Sequence, residues 1–252
     1  MSKQNSGLSK EAKERLKNYE AKANVVSDRP QIRKRDNRLS ILVSALAVFV
    51  ALGLQFTYFS FGPGKPVVTP APTYANVGNV PSPDIAEARE WDGSMKLNKT
   101  TLKFKLDGKN APQAVAAFVT LAKQGFYQDN KCHRLTVSGI YVLQCGDPNG
   151  DGTGGPGFSF GPVENAPIDD IYRTGYLAFA RTGNNPYSMG SQFFIVFSNS
   201  TIPRDAAGGY TVFGYVEQGL EEVTSIATKG VADGSSDGKP VAPAVISDVK
   251  VK

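Results

Sequence analysis

The sequence predicts a mainly β domain, a barrel with helices over its openings, preceded by one transmembrane helix. Three observations support this fold class. Residues 39–61 contain no charged side chain and are almost wholly apolar. Residues 86–252 contain several short segments rich in β-branched and aromatic residues, separated by Gly, Pro, Asn or Asp, the pattern of strands and turns. Two further segments have apolar residues at helical spacing, and several strands with two helices favour a barrel with helical lids.

The composition fits a folded domain with attached segments. The chain has 252 residues, of which 40% are apolar, enough for a sizeable core. The formal net charge of +5 is concentrated before residue 39 and ends in a basic cluster at residues 33–38. Basic residues next to an apolar span usually contact anionic lipid headgroups. We therefore expect no nucleic-acid binding.

The N-terminal part of the chain predicts a tail and a membrane span. Residues 1–38 form a basic tail in which Ser9 can cap a short charged helix, SKEAKERLKNYEAK. Residues 39–61 follow, and about 23 residues of helix cover roughly 34 Å, enough to cross a bilayer. A cleaved signal peptide would have a shorter apolar core and a small-x-small site, and a buried core helix would lack the basic flank, so we favour an uncleaved anchor.

Topology follows from the position of the basic cluster. Basic residues mark the cytoplasmic side of a span, so we predict a single-pass protein of the cell membrane with a cytoplasmic N-terminus and an extracytoplasmic domain. Residues 62–85 have the composition of an extended, semi-rigid linker. Its prolines are Pro63, Pro66, Pro70, Pro72, Pro81 and Pro83. Residues 86–252 fit a single domain.

The domain itself reads as strands with two helices. TLKFKLDG alternates apolar and polar residues as a half-buried strand does, and APQAVAAFVTLAKQGFY is a helix with Pro112 near its start. IYVLQCG, YLAFAR, SQFFIVF, YTVFGYV and AVISDVKV are short and β-rich, and GLEEVTSIATKG predicts a second helix.

Three motif matches fail on their context. DPNGDG, from Asp147, copies the start of a calcium loop, but the twelfth position is Phe158 where a bidentate Glu is needed. The glycines of GTGGPG match a dinucleotide fingerprint by letter, but no crossover helix follows. A Ser/His/Asp hydrolytic site would have to use His133, the single histidine. Ser191 lies in a strand-like segment and not at a nucleophile elbow, so such a site is not expected. We therefore expect neither metal nor cofactor, and a packed or partly buried structural role for His133.

Four motifs carry a resemblance to a known family. FYQDNKCHRLTVSGIYVLQCGD, GTGGPG, YLAFARTGNNPYSMGSQFFIVF and YTVFGYVEQGLEEV resemble the cyclophilin family in order and nearly in spacing, over residues 94–252. The resemblance implies a closed, eight-stranded antiparallel β-barrel capped by two α-helices, with the active groove on its outer surface. It also implies peptidyl-prolyl cis-trans isomerase activity. The anchor, linker and basic tail look most like membrane-bound cyclophilins of actinobacteria.

The reaction needs few chemical groups. A prolyl bond prefers trans by only about 0.5–1 kcal/mol, yet it isomerises over tens to hundreds of seconds because rotation breaks amide resonance. A catalyst needs an apolar pocket for the proline ring and a donor that favours the twisted amide. Arginine suits that role because it is charged at every working pH. By the resemblance this residue is Arg134, with Gln144 beside it.

The resemblance also assigns the substrate groove. The proline pocket would be formed by Tyr141, Val142, Phe194 and Ile202, and Gln144 and Gln192 would position the substrate backbone. Ala180, Arg181 and Tyr210 would line the groove, and residues 152–155, beginning with Gly152, would shape its rim. Aromatic residues in strands are more often core than site, so Arg134 carries this assignment best.

The chain departs from the family pattern at several of these positions. Tyr141 and Val142 stand where most cyclophilins have Phe and Met, and the segment between HR and Q is two residues longer. Arg181 replaces the usual groove asparagine. The tryptophan that many members use for cyclosporin is absent, since Trp91 lies upstream. We therefore predict weak cyclosporin binding.

The expected partners are proline-containing segments of exported or envelope proteins, whose folding the enzyme would assist. An alternative is a non-catalytic proline-binding module or chaperone at the membrane surface.

Cys132 and Cys145 flank the hairpin of Arg134, and they could form a disulfide or remain as two buried thiols.

Overall fold

The computed structural model describes residues 9–62 and 74–252, without the side chains of residues 25–35. The chain divides into two compact units, Met1–Ala71 and Pro72–Lys252. Part of the predicted linker, residues 63–73, lies outside the described residues.

The described part of the first unit is a single helix, α1 (Lys10–Ser60). The Ser9 hydroxyl accepts a hydrogen bond from the backbone N–H of Ala12 at 3.3 Å, which confirms the predicted N-cap. Sequence analysis predicted a short charged helix followed by a separate span, whereas α1 is continuous. Its charged, Ala and Leu residues favour helix, and the first glycine after Lys10 is Gly53. The helix continues through Pro30, although proline lacks the N–H for an intrahelical hydrogen bond.

Part of α1 meets the length and composition of a membrane span. Asp36–Ser60 is 25 residues long with a mean hydropathy of 2.3, and none of its apolar window is buried. It therefore does not serve as a core helix of the described residues. An anchor and a signal sequence would both have this length and composition.

The second unit is a curled antiparallel sheet with two helices. Its helices are α2 (Pro112–Lys123) and α3 (Leu220–Thr228), and a 3-10 turn spans Pro83–Ala86. The strands are β1 (Glu90–Leu97), β2 (Thr100–Asp107), β3 (Asn130–Lys131), β4 (Arg134–Ser138), β5 (Ile140–Cys145), β6 (Ile171–Tyr172), β7 (Tyr176–Phe179), β8 (Phe193–Val196), β9 (Ser200–Thr201), β10 (Val212–Gln218), β11 (Asp237–Gly238) and β12 (Val245–Val251). The mainly β class and both helices are confirmed.

Ten of these strands form one sheet in the order β11-β4-β5-β8-β7-β10-β2-β1-β12-β3, and β6 pairs with β9 separately. The ladder has two ends, at β11 and β3, so the closed eight-stranded barrel is not confirmed. The end strand β3 is nevertheless joined by the chain to β4, the neighbour of β11, because β3 and β4 are separated only by Cys132 and His133. The backbone N–H of Cys132 donates to Ala244 on one side, and that of His133 donates to Gln144 on the other.

The main core lies between α2 and one face of the sheet. Phe118 on α2 packs against the rings of Phe104, Tyr127, Phe193 and Phe213, with ring centroids 5.0 to 5.8 Å apart. Such aromatic contacts add to the stabilisation from buried area. This cluster fixes the inner face of β8 and β10.

A second, smaller cluster lies apart from the main core. Its buried members are Val142, Tyr172, Ala178, Phe194, Val196 and Val212. Side chains of a strand alternate between its two faces, so β5 sends Val142 to this cluster and its neighbours Leu143 and Cys145 to the main core. The candidate site is built on the smaller cluster.

The chain ahead of β1 is also part of the second unit. Val77 and Ser159 exchange two backbone hydrogen bonds of 2.9 Å, and the Tyr74 hydroxyl donates to the carbonyl of Asn184 at 2.8 Å. A Cβ on Gly78, whose φ is +76°, would meet the carbonyl oxygen of Gly157 at 2.6 Å. Residues 74–85, predicted as linker, are therefore packed on the domain, which begins before residue 86.

Candidate active site

A notch of about 130 Å³ opens over the second cluster. Five of its nine lining side chains are apolar, and the other four carry polar groups. The lining residues are Arg134, Ile140, Val142, Gln144, Ala180, Arg181, Phe194, Ile202 and Tyr210. An apolar depression edged by a few convergent polar groups is the usual form of a small binding site.

Arg134 stands at the edge of the notch with its guanidinium fixed on one side. It opens β4, where it lies in register with Gln144 of β5. Its Nε and Nη2 atoms donate to the two carboxylate oxygens of Asp237, at 2.7 and 2.6 Å. Nη1 lies 3.4 Å from Oε1 of Gln144. The side chain is 44% exposed, so it can meet a ligand from solvent.

The charges of this pair are stable against pH. The hydrogen bond from Arg134 is the main cause that lowers the pKa of the Asp237 carboxyl. The same bond raises the pKa of the Arg134 guanidinium above its ordinary value. Each ion favours the charged form of the other, so both remain ionised throughout the neutral range.

A chain of side-chain amides continues from Arg134 along the groove. Nε2 of Gln144 donates to Oε1 of Gln192 at 2.9 Å. Nε2 of Gln192 in turn donates to the carbonyls of Gly152 and Gly154, at 3.0 and 2.9 Å. These contacts set the orientation of both amides, so Gln144 directs its oxygen towards Arg134.

A second cavity of about 300 Å³ adjoins the notch and shares Gln144, Ala180 and Arg181 with it. Gly152, Gly154, Gly155 and Gln192 also line it. A Cβ on Gly154 would stand 2.1 Å from Oδ1 of Asp147, so only glycine fits there. The predicted glycine rim therefore belongs to this second cavity.

Arg181 borders both cavities, but its guanidinium is turned inwards. The side chain is only 1% exposed and forms a bidentate ion pair with Asp205. That pair strongly lowers the pKa of the Asp205 carboxyl. The guanidinium also stands 4.8 Å from the ring centroid of Tyr210. It supports the wall of the notch and does not present a free donor to the groove.

Tyr141 is the one predicted pocket residue that the structure leaves outside both cavities. It alternates away from Val142 on β5 and packs edge-on against Phe197, with ring centroids 6.0 Å apart. Ile140 takes its place in the notch. The signal was available in the sequence, since Ile140, Val142 and Gln144 share one face of a strand with period two.

The remaining predicted residues are brought together. Those that line the notch are Arg134, Val142, Gln144, Ala180, Arg181, Phe194, Ile202 and Tyr210, and Gly152 and Gln192 line the second cavity. Sequence reasoning missed Asp237, the partner of Arg134. Its segment, DGSSDGK, is a polar turn with no catalytic signature, and only the pairing of β11 with β4 reveals its role.

A disulfide closes the hairpin that carries Arg134 and Gln144. Cys132 and Cys145 are bonded with an S–S distance of 2.01 Å, and neither cysteine is free. Both half-cystines are buried. Of the two alternatives left open by the sequence, the structure has the disulfide.

His133 fits the predicted structural role. It is half-buried, and burial is the main cause that lowers the pKa of its imidazole. Its Nδ1 atom is buried without a hydrogen-bond partner among the described residues. The ring packs near Gly152, whose Cβ, if present, would lie 3.6 Å from Nε2.

The Asp147 loop is arranged around its own backbone. The carboxylate of Asp147 accepts hydrogen bonds from the backbone N–H groups of Asn149, Asp151 and Gly152. Its oxygens are thus committed to the turn. Within residues 9–62 and 74–252, no group of three or more His, Cys, Asp or Glu side chains could hold a metal ion.

Comparison with known proteins places this site in context. Residues 94–251 match the family model described as cyclophilin type peptidyl-prolyl cis-trans isomerase/CLD. A probable peptidyl-prolyl cis-trans isomerase B of Mycobacterium tuberculosis is 40% identical over 199 residues, which cover 73% of this chain and 59% of that protein. A Helicobacter pylori peptidyl-prolyl cis-trans isomerase is 37% identical over 154 residues, covering 61% of this chain and 85% of that protein.

A solved structure shows the same fold. A cyclophilin type peptidyl-prolyl cis-trans isomerase of Cryptosporidium parvum is 28% identical, with a TM-score of 0.55, over 65% of this chain and 98% of that one. The chain spans only about three fifths of the length of the mycobacterial relatives, at 59% and 62%.

Proposed function

The chain belongs to the cyclophilin-type peptidyl-prolyl cis-trans isomerase family, and from this we propose that it accelerates the rotation of X-Pro peptide bonds. The single observation that carries the proposal is the position of Arg134 at the edge of the apolar notch, with two of its N–H groups held by Asp237 and a third directed along the groove.

The notch supplies a seat for the proline ring. Val142, Phe194 and Ile202 offer apolar surface there, and burying apolar area gives about 25 cal/mol per Å². This interaction is the same for the planar and the twisted amide, so it binds substrate without lowering the barrier. It places the prolyl bond beside Arg134.

Arg134 supplies the interaction that stabilises the twisted transition state more than the planar ground state. Rotation past a barrier of about 18–20 kcal/mol breaks the amide resonance and returns the lone pair to the prolyl nitrogen. A cationic N–H group directed at that region is bound more tightly by the twisted amide than by the planar one. No proton is transferred and no covalent bond forms. Gln144 and Gln192 would hold the flanking peptide groups of the substrate.

An exchange assay on the full chain in mild detergent tests this function. We expect the protein to raise the cis/trans exchange rate of a proline-containing peptide, measured by NMR, and Arg134→Ala to abolish most of that effect. Arg173→Ala is the matched control, because Arg173 forms a comparably exposed ion pair with Asp169 away from the notch. Binding of the peptide with no acceleration by the wild-type chain would instead indicate the alternative, a proline-binding module.

We further propose that the chain is anchored by α1, with the tail cytoplasmic, the domain extracytoplasmic and exported proteins as its clients. The support is the apolar segment Asp36–Ser60 behind the basic residues 33–38, the arrangement that the positive-inside rule describes. Protease treatment of intact cells should remove a C-terminal tag and spare an N-terminal one. Loss of the N-terminal tag from the mature protein would identify a cleaved signal sequence.

A further inference from the structure

The carboxylate of Asp237 reaches Arg134 through strand pairing and not through nearness in sequence. β11 lies beside β4 with Asp237 opposite Thr136. The backbone N–H of Val137 donates to the carbonyl of Ser236 at 2.9 Å, which fixes the end of this pairing. Arg134 and Thr136 alternate onto the same face of β4, so both side chains can reach the Asp237 carboxylate.

The contact between the two ions is two-point. Nε of Arg134 bonds one carboxylate oxygen and Nη2 bonds the other, at 2.7 and 2.6 Å. The Thr136 hydroxyl stands 3.5 Å from the first of those oxygens. A bidentate arrangement fixes the plane of the guanidinium as well as its position. Nη1 is the guanidinium nitrogen that makes no contact with Asp237, and it lies 3.4 Å from Oε1 of Gln144, which lines the notch together with Arg134.

The contribution of the Arg134–Asp237 pair to folding stability is too small to explain its two-point geometry. Both partners are nearly half exposed, at 44% and 43%, and exposed ion pairs contribute little to folding. Asp237 is also absent from the residues that line the notch, so it does not occupy the space of the substrate. Its contact is with the arginine alone among the groups proposed to act on the prolyl bond.

We propose that Asp237 is a positioning residue that holds the guanidinium of Arg134 so that Nη1 is directed at the prolyl amide. This inference rests on the proposed isomerase function. A donor that is already oriented loses no rotational freedom when the amide twists, and its charge is in place where electron density appears. Removing the carboxylate should therefore slow the rotation step, while the apolar seat that binds the ring is unchanged.

The test uses Asp237→Asn in the full-length chain, with Asp233→Asn as the matched control. Asp233 lies in the same turn, but its carboxylate bonds the backbone N–H of Ser235 and not Arg134. For a proline-containing peptide, we expect Asp237→Asn to lower kcat about tenfold, equal to about 1.4 kcal/mol, with KM nearly unchanged. Asp233→Asn should keep both constants, and Asp237→Glu should recover part of the lost kcat.

A spectroscopic measurement separates this inference from the proposed function. The Nε–Hε NMR signal of Arg134 is identified by its loss in Arg134→Ala. It should be protected from solvent exchange in the wild type and in Asp233→Asn, and lose that protection in Asp237→Asn. Lost protection with unchanged or increased kcat would overturn the positioning role while leaving the isomerase function intact. A wild-type chain without isomerase activity would overturn the proposed function, and the positioning role with it.

Discussion

Arg181 and Asp205 form a two-point ion pair beside the notch, with nitrogen–oxygen distances of 2.9 and 2.8 Å. Arg181 also donates to the carbonyls of Gly208 and Gly209. The pair thus ties the loop that leads into Tyr210 to the end of β7. Arg181, which the family resemblance places in the groove, thus holds one wall of the groove in place.

Replacing Arg181 with methionine should destabilise the second unit. Asp205, with a side chain 30% exposed, would keep only its backbone donors Asn184 and Ala207. Removing one partner of a buried pair costs about 3–5 kcal/mol, and the partial exposure of Asp205 places the expected loss near the lower figure. Denaturant unfolding followed by the fluorescence of Trp91, the single tryptophan, gives the value.

The control for this substitution is Arg173→Met. Arg173 pairs with Asp169 at the surface, where both side chains are about half exposed. Exposed pairs contribute roughly 0–1 kcal/mol, so this variant should unfold almost as the wild type does. Equal losses for both variants would show that the Arg181–Asp205 pair does not support the notch wall.

The disulfide should stabilise the hairpin of the candidate site. Cys132 precedes β4 and Cys145 ends β5, so the bond brackets the pair Arg134 and Gln144. Closing a loop of this size contributes about 2–3 kcal/mol by restricting the unfolded chain. The double variant Cys132→Ser, Cys145→Ser should lose that amount in denaturant unfolding. A reductant should bring the wild type to the same stability and leave the variant unaffected; identical stabilities in all four measurements would contradict this.

The class of the domain and most of its groove could be predicted because they depend on local pattern. Period-two alternation marks the strands, and helical spacing after Pro112 marks α2. The motifs around Arg134 and Gln192 supplied the assignment of the groove residues, most of which line one of the two cavities. Tyr141, which the resemblance assigns to the pocket, lies outside the notch, whereas Ile140, which shares a strand face with Val142, lines it.

Long-range partners could not be predicted. α2 has no side-chain cap at Ala111, and its first free N–H groups, on Gln113 and Ala114, are bonded instead by the carboxylate of Glu164 at 3.1 and 3.0 Å. Asp237 reaches Arg134 in the same way, across a strand pairing. Such contacts join residues far apart in the chain through the fold, so neither propensity nor spacing reveals them.

Cyclosporin should bind weakly. Among the described residues that line the notch and the second cavity there is no tryptophan. Trp91 is 3% exposed, with its Nε1–H bonded to the carbonyl of Ala86, so it cannot contact a ligand in the groove. Inhibition of peptide isomerisation by cyclosporin should therefore need concentrations above the micromolar range. Trp91→Phe should show the same inhibition as the wild type, and a submicromolar constant would refute the prediction.

Stability should fall on mild acidification because of His133. Burial lowers the pKa of its imidazole below the ordinary value of about 6.5. As pH falls below about 6.5, the unfolded chain binds a proton that the folded chain does not, so the free energy of unfolding decreases until the folded imidazole also titrates. The contribution of the neutral imidazole to the free energy of unfolding is fully present above a pH of about 6.5. For one group this free energy changes by at most about 1.4 kcal/mol per pH unit.

A substitution isolates this effect because the sequence has one histidine. Asp237 and Asp205, whose pKa values are lowered by their arginine partners, stay charged between pH 7.5 and 5.5 in both states and add no slope there. Glu164, whose pKa is raised by burial, acts with the opposite sign and is common to both proteins. Between these two pH values the wild type should therefore lose more stability than His133→Gln, measured by urea unfolding and Trp91 fluorescence. If the two proteins have parallel pH profiles, the half-buried imidazole is not held neutral by its surroundings.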